Sequence, residues 1–103
     1  MKECSIKKDG DTLVVKITCE IDHHLAKSIR ETVDREIFGD IKILLLDFSS
    51  VTFMDSSGIS LIIGRAAKAE KIGAIVVVEG LCGSLKRLVR MSGIEKIQNV
   101  RIK

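Results

Sequence analysis

Between Ile41 and Phe48 the chain carries Ile43-Leu44-Leu45-Leu46, four successive large apolar side chains with no polar residue on either face. A half-buried strand alternates apolar and polar positions; this run does not, and it is too short for a buried helix. It suits a central strand covered on both sides, as the strands of parallel sheets are. Ala74 to Val78 is a second, β-branched run of the same kind. Two such strands need a crossover between them, so the segments around them must supply helices.

Those segments have helical periodicity. After Asp22, a candidate N-cap, Leu25, Ile29, Val33 and Ile37 recur every four residues, with Ala26 alongside, and the helix is expected to end near Gly39. Asp55 is a second candidate N-cap, followed by Ile59, Ile62, Ile63 and Ala66 on one face, closing around Lys68 to Lys71 before Gly73. Leu81, Leu85, Leu88 and Val89 mark a third helix, with Gly93 at C′ in the left-handed conformation and Ile94 folding back on Val89. Ahead of these, Cys4 to Lys8 and the alternating stretch Thr12 to Cys19 flank the turn signal Asp9-Gly10-Asp11, which predicts a hairpin. Ile97 to Ile102 offers a last edge strand. The predicted order is β-β-α-β-α-β-α-β: an α/β fold with a mostly parallel sheet, an N-terminal β-hairpin and helices packed on it. At 103 residues, one domain spans 1–103.

Composition narrows the function classes. Seventeen basic against fourteen acidic residues leave a net charge of +3, and the three Phe sit in or beside apolar runs, so the stacking platform of a nucleic-acid binder is missing. No stretch approaches the ~18 uninterrupted apolar residues that cross a bilayer. Met1-Lys2-Glu3-Cys4 has no apolar segment of the signal-peptide type. Cys4, Cys19 and Cys82 are odd in number and lack C-x-x-C spacing, which disfavours a disulfide framework or a zinc cluster; Cys4 and Cys19 read as small buried hydrophobes. A reduced, cytoplasmic protein without membrane or nucleic-acid partners is the expectation.

Three polar clusters interrupt the apolar scaffold: Glu20-Ile21-Asp22-His23-His24, Asp55-Ser56-Ser57-Gly58, and Lys86-Arg87 with Arg90. The first two follow strands and open helices, and parallel strands gather such loops at one sheet edge, so Asp22 and Ser56 are expected to be neighbours. With Asp55 as cap, Ser56 is the first helical residue, among free amides at the positive end of the helix dipole, where a phosphate is tolerated. Capping alone also explains Asp-Ser-Ser-Gly, and from the residues both readings stand. Adjacent His23 and His24 point in different directions on a helix, so a cap followed by two solvent-facing imidazoles fits better than a metal site. A hydrolase lacks its G-x-S-x-G elbow, and a nucleotide-binding enzyme its glycine-rich phosphate loop. Lys86, Arg87 and Arg90 form a solvated basic face or meet an acidic partner.

Phe53-Met54-Asp55-Ser56-Ser57-Gly58 followed by Gly64-Arg65 resembles the signature of the anti-sigma factor antagonists, which are STAS-domain proteins. Glu20-Ile21-Asp22-His23-His24 is similar to their second motif, and Lys86-Arg87-Leu88 with Met91-Ser92-Gly93-Ile94 to their third. The resemblance spans nearly the whole chain. It implies a non-catalytic regulator without cofactors, monomeric when free, in a partner-switching cycle. In that cycle the unphosphorylated antagonist binds an anti-sigma factor that is also an ATP-dependent serine kinase. Binding frees a sigma factor, here sporulation sigma factor F; phosphorylation of Ser56 abolishes binding, and a serine phosphatase resets the system. Glu20, Asp22, His24, Asp55, Ser57, Gly58, Ile59, Ser60 and Leu61 would form the partner-binding surface. A stress-signalling assembly with another kinase is the alternative setting. The family usually carries a further helix after its last strand, so the resemblance implies that this chain, ending at Lys103, lacks it.

Overall fold

The computed structural model describes residues 3–103; Met1 and Lys2, part of the stretch read as lacking a leader, lie outside the described residues. The elements are β1 (Cys4–Asp9), β2 (Thr12–Ile17), α1 (His23–Asp34), β3 (Ile43–Asp47), α2 (Ser56–Glu70), β4 (Ile75–Glu79), α3 (Gly83–Ser92) and β5 (Val100–Ile102), with one 3-10 turn at Ile94–Lys96. The order is the one read from the sequence, as is the β1–β2 hairpin, which pairs Cys4 with Ile17 and Asp9 with Thr12 around Gly10. The remaining pairings, β2–β3, β3–β4 and β4–β5, are parallel, in a sheet of order β1-β2-β3-β4-β5.

That order corrects one expectation. Every parallel crossover steps to the next strand in the same direction. Crossovers that share one hand then stack all their helices on one face of the sheet. Accordingly Leu13, Val15 and Ile17 of β2, Leu44 and Leu46 of β3 and Val76 and Val78 of β4 share a single core with Ile29 and Val33 of α1, Leu61, Ile62 and Ala66 of α2, and Leu85 and Val89 of α3. Ile43 and Leu45 alternate away from this core, beside Val14, Ile75 and Val77 in the adjoining strands, and are only half-buried. The run Ile43–Leu46 is thus covered on one face, not two. The shortest dimension, 19 Å, matches a sheet with one helical layer.

Several boundaries also shift. The first helix stops at Asp34 rather than near Gly39, because Glu36 donates to the Val33 carbonyl at 2.9 Å and Ile37 to that of Asp34 at 3.4 Å, i→i−3 bonds that tighten the chain out of the helix. Ile37 is nonetheless buried. Ile41 and Phe48 are buried outside β3, and the last strand shrinks to Val100–Ile102 because residues 97–99 form a turn in which the Val100 amide donates to the Ile97 carbonyl at 3.0 Å. Gly93 adopts φ +80° as the C-cap of α3, as expected. Gly80 has φ +81°, and a Cβ there would lie 2.7 Å from the Ser49 amide nitrogen, so β4 can leave the sheet past the β3–α2 loop only through glycine.

Candidate functional site

The C-terminal ends of β2, β3 and β4 lie in register, Lys16 with Asp47 and Asp47 with Glu79, so the loops that follow them emerge at one edge. Two of these loops are joined by main chain. Ile21 and Met54 form an isolated parallel bridge, in which the Ile21 amide donates to the Phe53 carbonyl at 3.0 Å and the Asp55 amide to the Ile21 carbonyl at 3.1 Å. Ile21 and Met54 are themselves buried, so the bridge is fixed from below. It brings the segment of Asp22 alongside that of Ser56, as the topology predicted; the bridge itself had no local sequence signal.

Both acidic residues cap their helices. Asp22 Oδ1 accepts from the Leu25 amide at 2.8 Å and Asp55 Oδ1 from the Ser57 amide at 2.7 Å, each residue being extended. Ser56 is therefore the first residue of α2, and it is exposed. Ser60, one turn on, is exposed too; Ser57 and Ile59 are half-buried. Glu20, Asp22, His23 and His24 are exposed on the adjoining loop and the start of α1. Gly58 and Leu61 differ from the expected contact surface, since both are buried. A Cβ at Gly58 would lie 2.6 Å from Met54 Sδ, so glycine here is dictated by packing inside the protein. Leu61 belongs to the core and reaches the surface only as part of a cleft wall.

Ser56 borders two depressions. Met54, Ile59, Leu88 and Met91 line an apolar groove of ≈ 530 Å³ between α2 and α3, with Asp55, Ser56, Ser60 and Ser92 at its margin. Met91 is 80% exposed and Leu88 38%, an uncovered apolar surface beside the Ser56 hydroxyl. A second cleft, ≈ 390 Å³, lies between α1 and α2. Lys86, Arg87 and Arg90, the third polar cluster, line a depression with Met91 and Gly83 on α3. A larger cleft, ≈ 550 Å³, opens near Phe38 and Arg35, at the far end of α1 from these loops.

Two supports were invisible to pattern reading. Arg65, seen only as part of a signature, is 4% exposed and grips Asp34 of α1, with Nε 2.7 Å from Oδ1 and Nη2 donating to Oδ2 at 3.2 Å. Burial lowers the Arg65 pKa from its usual value, and the Asp34 carboxylate opposes that shift. The buried Asn99 donates from Nδ2 to the Ala66 and Ala74 carbonyls, at 2.8 and 3.2 Å, tying the entry to β5 onto α2 and onto the residue before β4. Cys82, at the start of α3, is exposed; the Leu85 backbone amide, then the Ser84 hydroxyl 3.7 Å away, lower its thiol pKa. Burial raises those of Cys4 and Cys19. Among the described residues no group of three or more His, Cys, Asp and Glu side chains could hold a metal, and no helix is long and apolar enough to cross a membrane.

A mostly parallel sheet with helices on one face, a capped helix start with an exposed serine and a bare apolar groove beside it define a small single-domain α/β fold. The STAS domain pattern matches residues 3–103, and the chain belongs to the STAS-domain family. It is similar to an anti-sigma F factor antagonist of Paenibacillus polymyxa, 32% identical over 89 residues, covering 85% of this chain and 76% of that one. It is also similar to an anti-sigma-B factor antagonist of Bacillus subtilis, 30% identical over 100 residues, covering 95% of this chain and 89% of that one. In fold it resembles the anti-sigma factor antagonist SpoIIAA in its unphosphorylated form, with TM-score 0.82 and 24% identity over 97% of this chain and 87% of the other.

Proposed function

We propose that this protein is a cytoplasmic anti-sigma factor antagonist switched by phosphorylation of Ser56. Unphosphorylated, it binds an anti-sigma factor that is also a serine kinase, and a sigma factor is released. The kinase then transfers the γ-phosphoryl of ATP to Ser56: the hydroxyl loses its proton, an O–P bond forms, and the bond to the leaving ADP breaks. A serine phosphatase restores the hydroxyl. The exposed Ser56 hydroxyl at the first position of α2, bordering the bare groove of Ile59, Leu88 and Met91, carries this reading. A phosphate there is tolerated by the helix that bears it, since it meets the positive end of the dipole. It is not tolerated by a partner fitted to a neutral hydroxyl, because it adds about −1.5 to −2 charges beside Asp55 and an apolar contact. A loss of ~3 kcal/mol weakens binding roughly a hundredfold.

In this reading Glu20, Asp22, His24, Asp55, Ser57, Ile59 and Ser60 meet the partner, while Gly58 and Leu61 support that surface from beneath. Incubation with the anti-sigma kinase and ATP, followed by mass spectrometry, tests the switch. One phosphate on Ser56 is expected, absent in Ser56→Ala and retained in Ser57→Ala; phosphate that persists in Ser56→Ala removes the proposal.

The sigma factor is sporulation sigma factor F in the leading reading. The likeness to the sigma-B antagonist, which spans more of this chain, favours a stress-signalling role as the second. Binding measured against the anti-sigma F and anti-sigma-B proteins of the same cell separates the two.

A further inference from the structure

Ser56 stands on a ridge between depressions of unlike character. On the α3 side is the apolar groove; on the α1 side is the cleft lined by His23, Lys27 and Arg30 of α1 and Ser56, Ser57 and Ser60 of α2, with Ala26 and Leu61 beneath. No carboxylate lines that cleft. Lys27 and Arg30 are exposed, three residues apart, and so share one helix face. Among the described residues neither has a carboxylate within ion-pair distance; of the two acidic residues further along α1, Glu31 is exposed and makes no ion pair with either, and Asp34 is taken by Arg65.

Like charges so placed repel each other. A second observation points the same way. Helix first turns ordinarily attract acidic side chains, yet neither α1 nor α2 has one there, and both helix starts border this cleft. The two nearby carboxylates, Asp22 and Asp55, are engaged as caps by the amides of Leu25 and Ser57. The cleft lining thus gathers two cationic side chains and three hydroxyls with no carboxylate among them, and the Asp22 and Asp55 caps stand at the helix starts beside it.

We propose that the α1–α2 cleft is the seat of the phosphoryl group on Ser56, held by Lys27 and Arg30. The proposal rests on the reading of Ser56 as the modified residue and adds where the modified side chain goes. The phosphoryl turns toward α1 and away from the apolar groove. The off state is then held by this chain's own cations, in addition to the repulsion it offers a partner. The groups facing the phosphoryl are His23, Lys27 and Arg30 from α1 and the capping carboxylates of Asp22 and Asp55; the α3 residues at the ridge, Leu88, Met91 and Ser92, are uncharged.

Phosphoserine incorporated at position 56 during translation, without any kinase, allows a direct test by phosphorus NMR. The second ionisation of the phosphate, ordinarily near pKa about 6, is followed in the parent and in Lys27→Gln/Arg30→Gln. The parent is expected to titrate about half a unit to one unit below the double variant, because nearby cations favour the dianion. Lys86→Gln/Arg87→Gln removes equal charge from α3 and is expected to titrate like the parent. If all three proteins titrate together, or the α3 variant shifts as much as the α1 variant, the seat is not this cleft. A kinase that fails to mark Ser56 would count against the switch alone, because this titration involves no kinase.

Discussion

Gly58 is where one added carbon changes the site most. A Cβ there would lie 2.6 Å from Met54 Sδ and 3.1 Å from its Cγ, and Met54 is buried with its backbone in the bridge to Ile21. Relief must come from moving Met54 or the start of α2, so the contact couples packing to the position of Ser56. Gly58→Ala is expected to destabilise the fold by about 1–3 kcal/mol, the usual range for overpacking, whereas Ser60→Ala at an exposed position stays within about 0.5 kcal/mol. The shift in urea midpoint of the two variants checks this; equal midpoints would show that the site accommodates the methyl freely. Ser56 itself was legible from the sequence, because an N-cap followed by a helix start is a local pattern. The reason for Gly58 was not, since it lies in how the Met54 side chain folds over the helix start.

At the scale of elements, α1 and α2 are joined by an ion pair that no periodicity announces. Arg65 is one residue of a helix face otherwise read as apolar and small, and its partner Asp34 ends the preceding helix. Asp34→Ala strands a buried guanidinium. With the carboxylate 26% exposed, the expected loss lies toward the low end for broken buried pairs, about 2–3 kcal/mol. Arg65→Met with Asp34→Leu, which removes both charges, is expected to recover most of that loss in the same denaturation measurement; a double variant as unstable as Asp34→Ala would contradict this account of the pair. The helices and strands themselves were legible from their periods. Their ends were less so: α1 stops at Asp34 although Ile37 continues the apolar spacing, because Ile37 is buried from a turn rather than from a helix.

Over the whole molecule, the succession of strands and helices was readable, but which sheet face is covered was not. Ile43 and Leu45 are as apolar as Leu44 and Leu46, and nothing within the run says that only the second pair meets helices. That follows from the order β1-β2-β3-β4-β5, in which successive crossovers advance the same way, a property of the assembled sheet. The same arrangement gathers the loops after β2, β3 and β4 at one edge, where the Ile21–Met54 bridge sets Asp22 beside the start of α2. In the proposed switch, the surface around Ser56 is therefore carried on two capped helix starts and a bridged loop, and a charge added there would alter binding without requiring the fold to change. Titration calorimetry of the anti-sigma factor against the unmodified protein and against the form carrying phosphoserine at position 56 tests this most directly. The account predicts that the phosphorylated form binds at least roughly a hundredfold more weakly, a loss of ~3 kcal/mol, with unchanged circular dichroism; equal affinities for the two forms would contradict it.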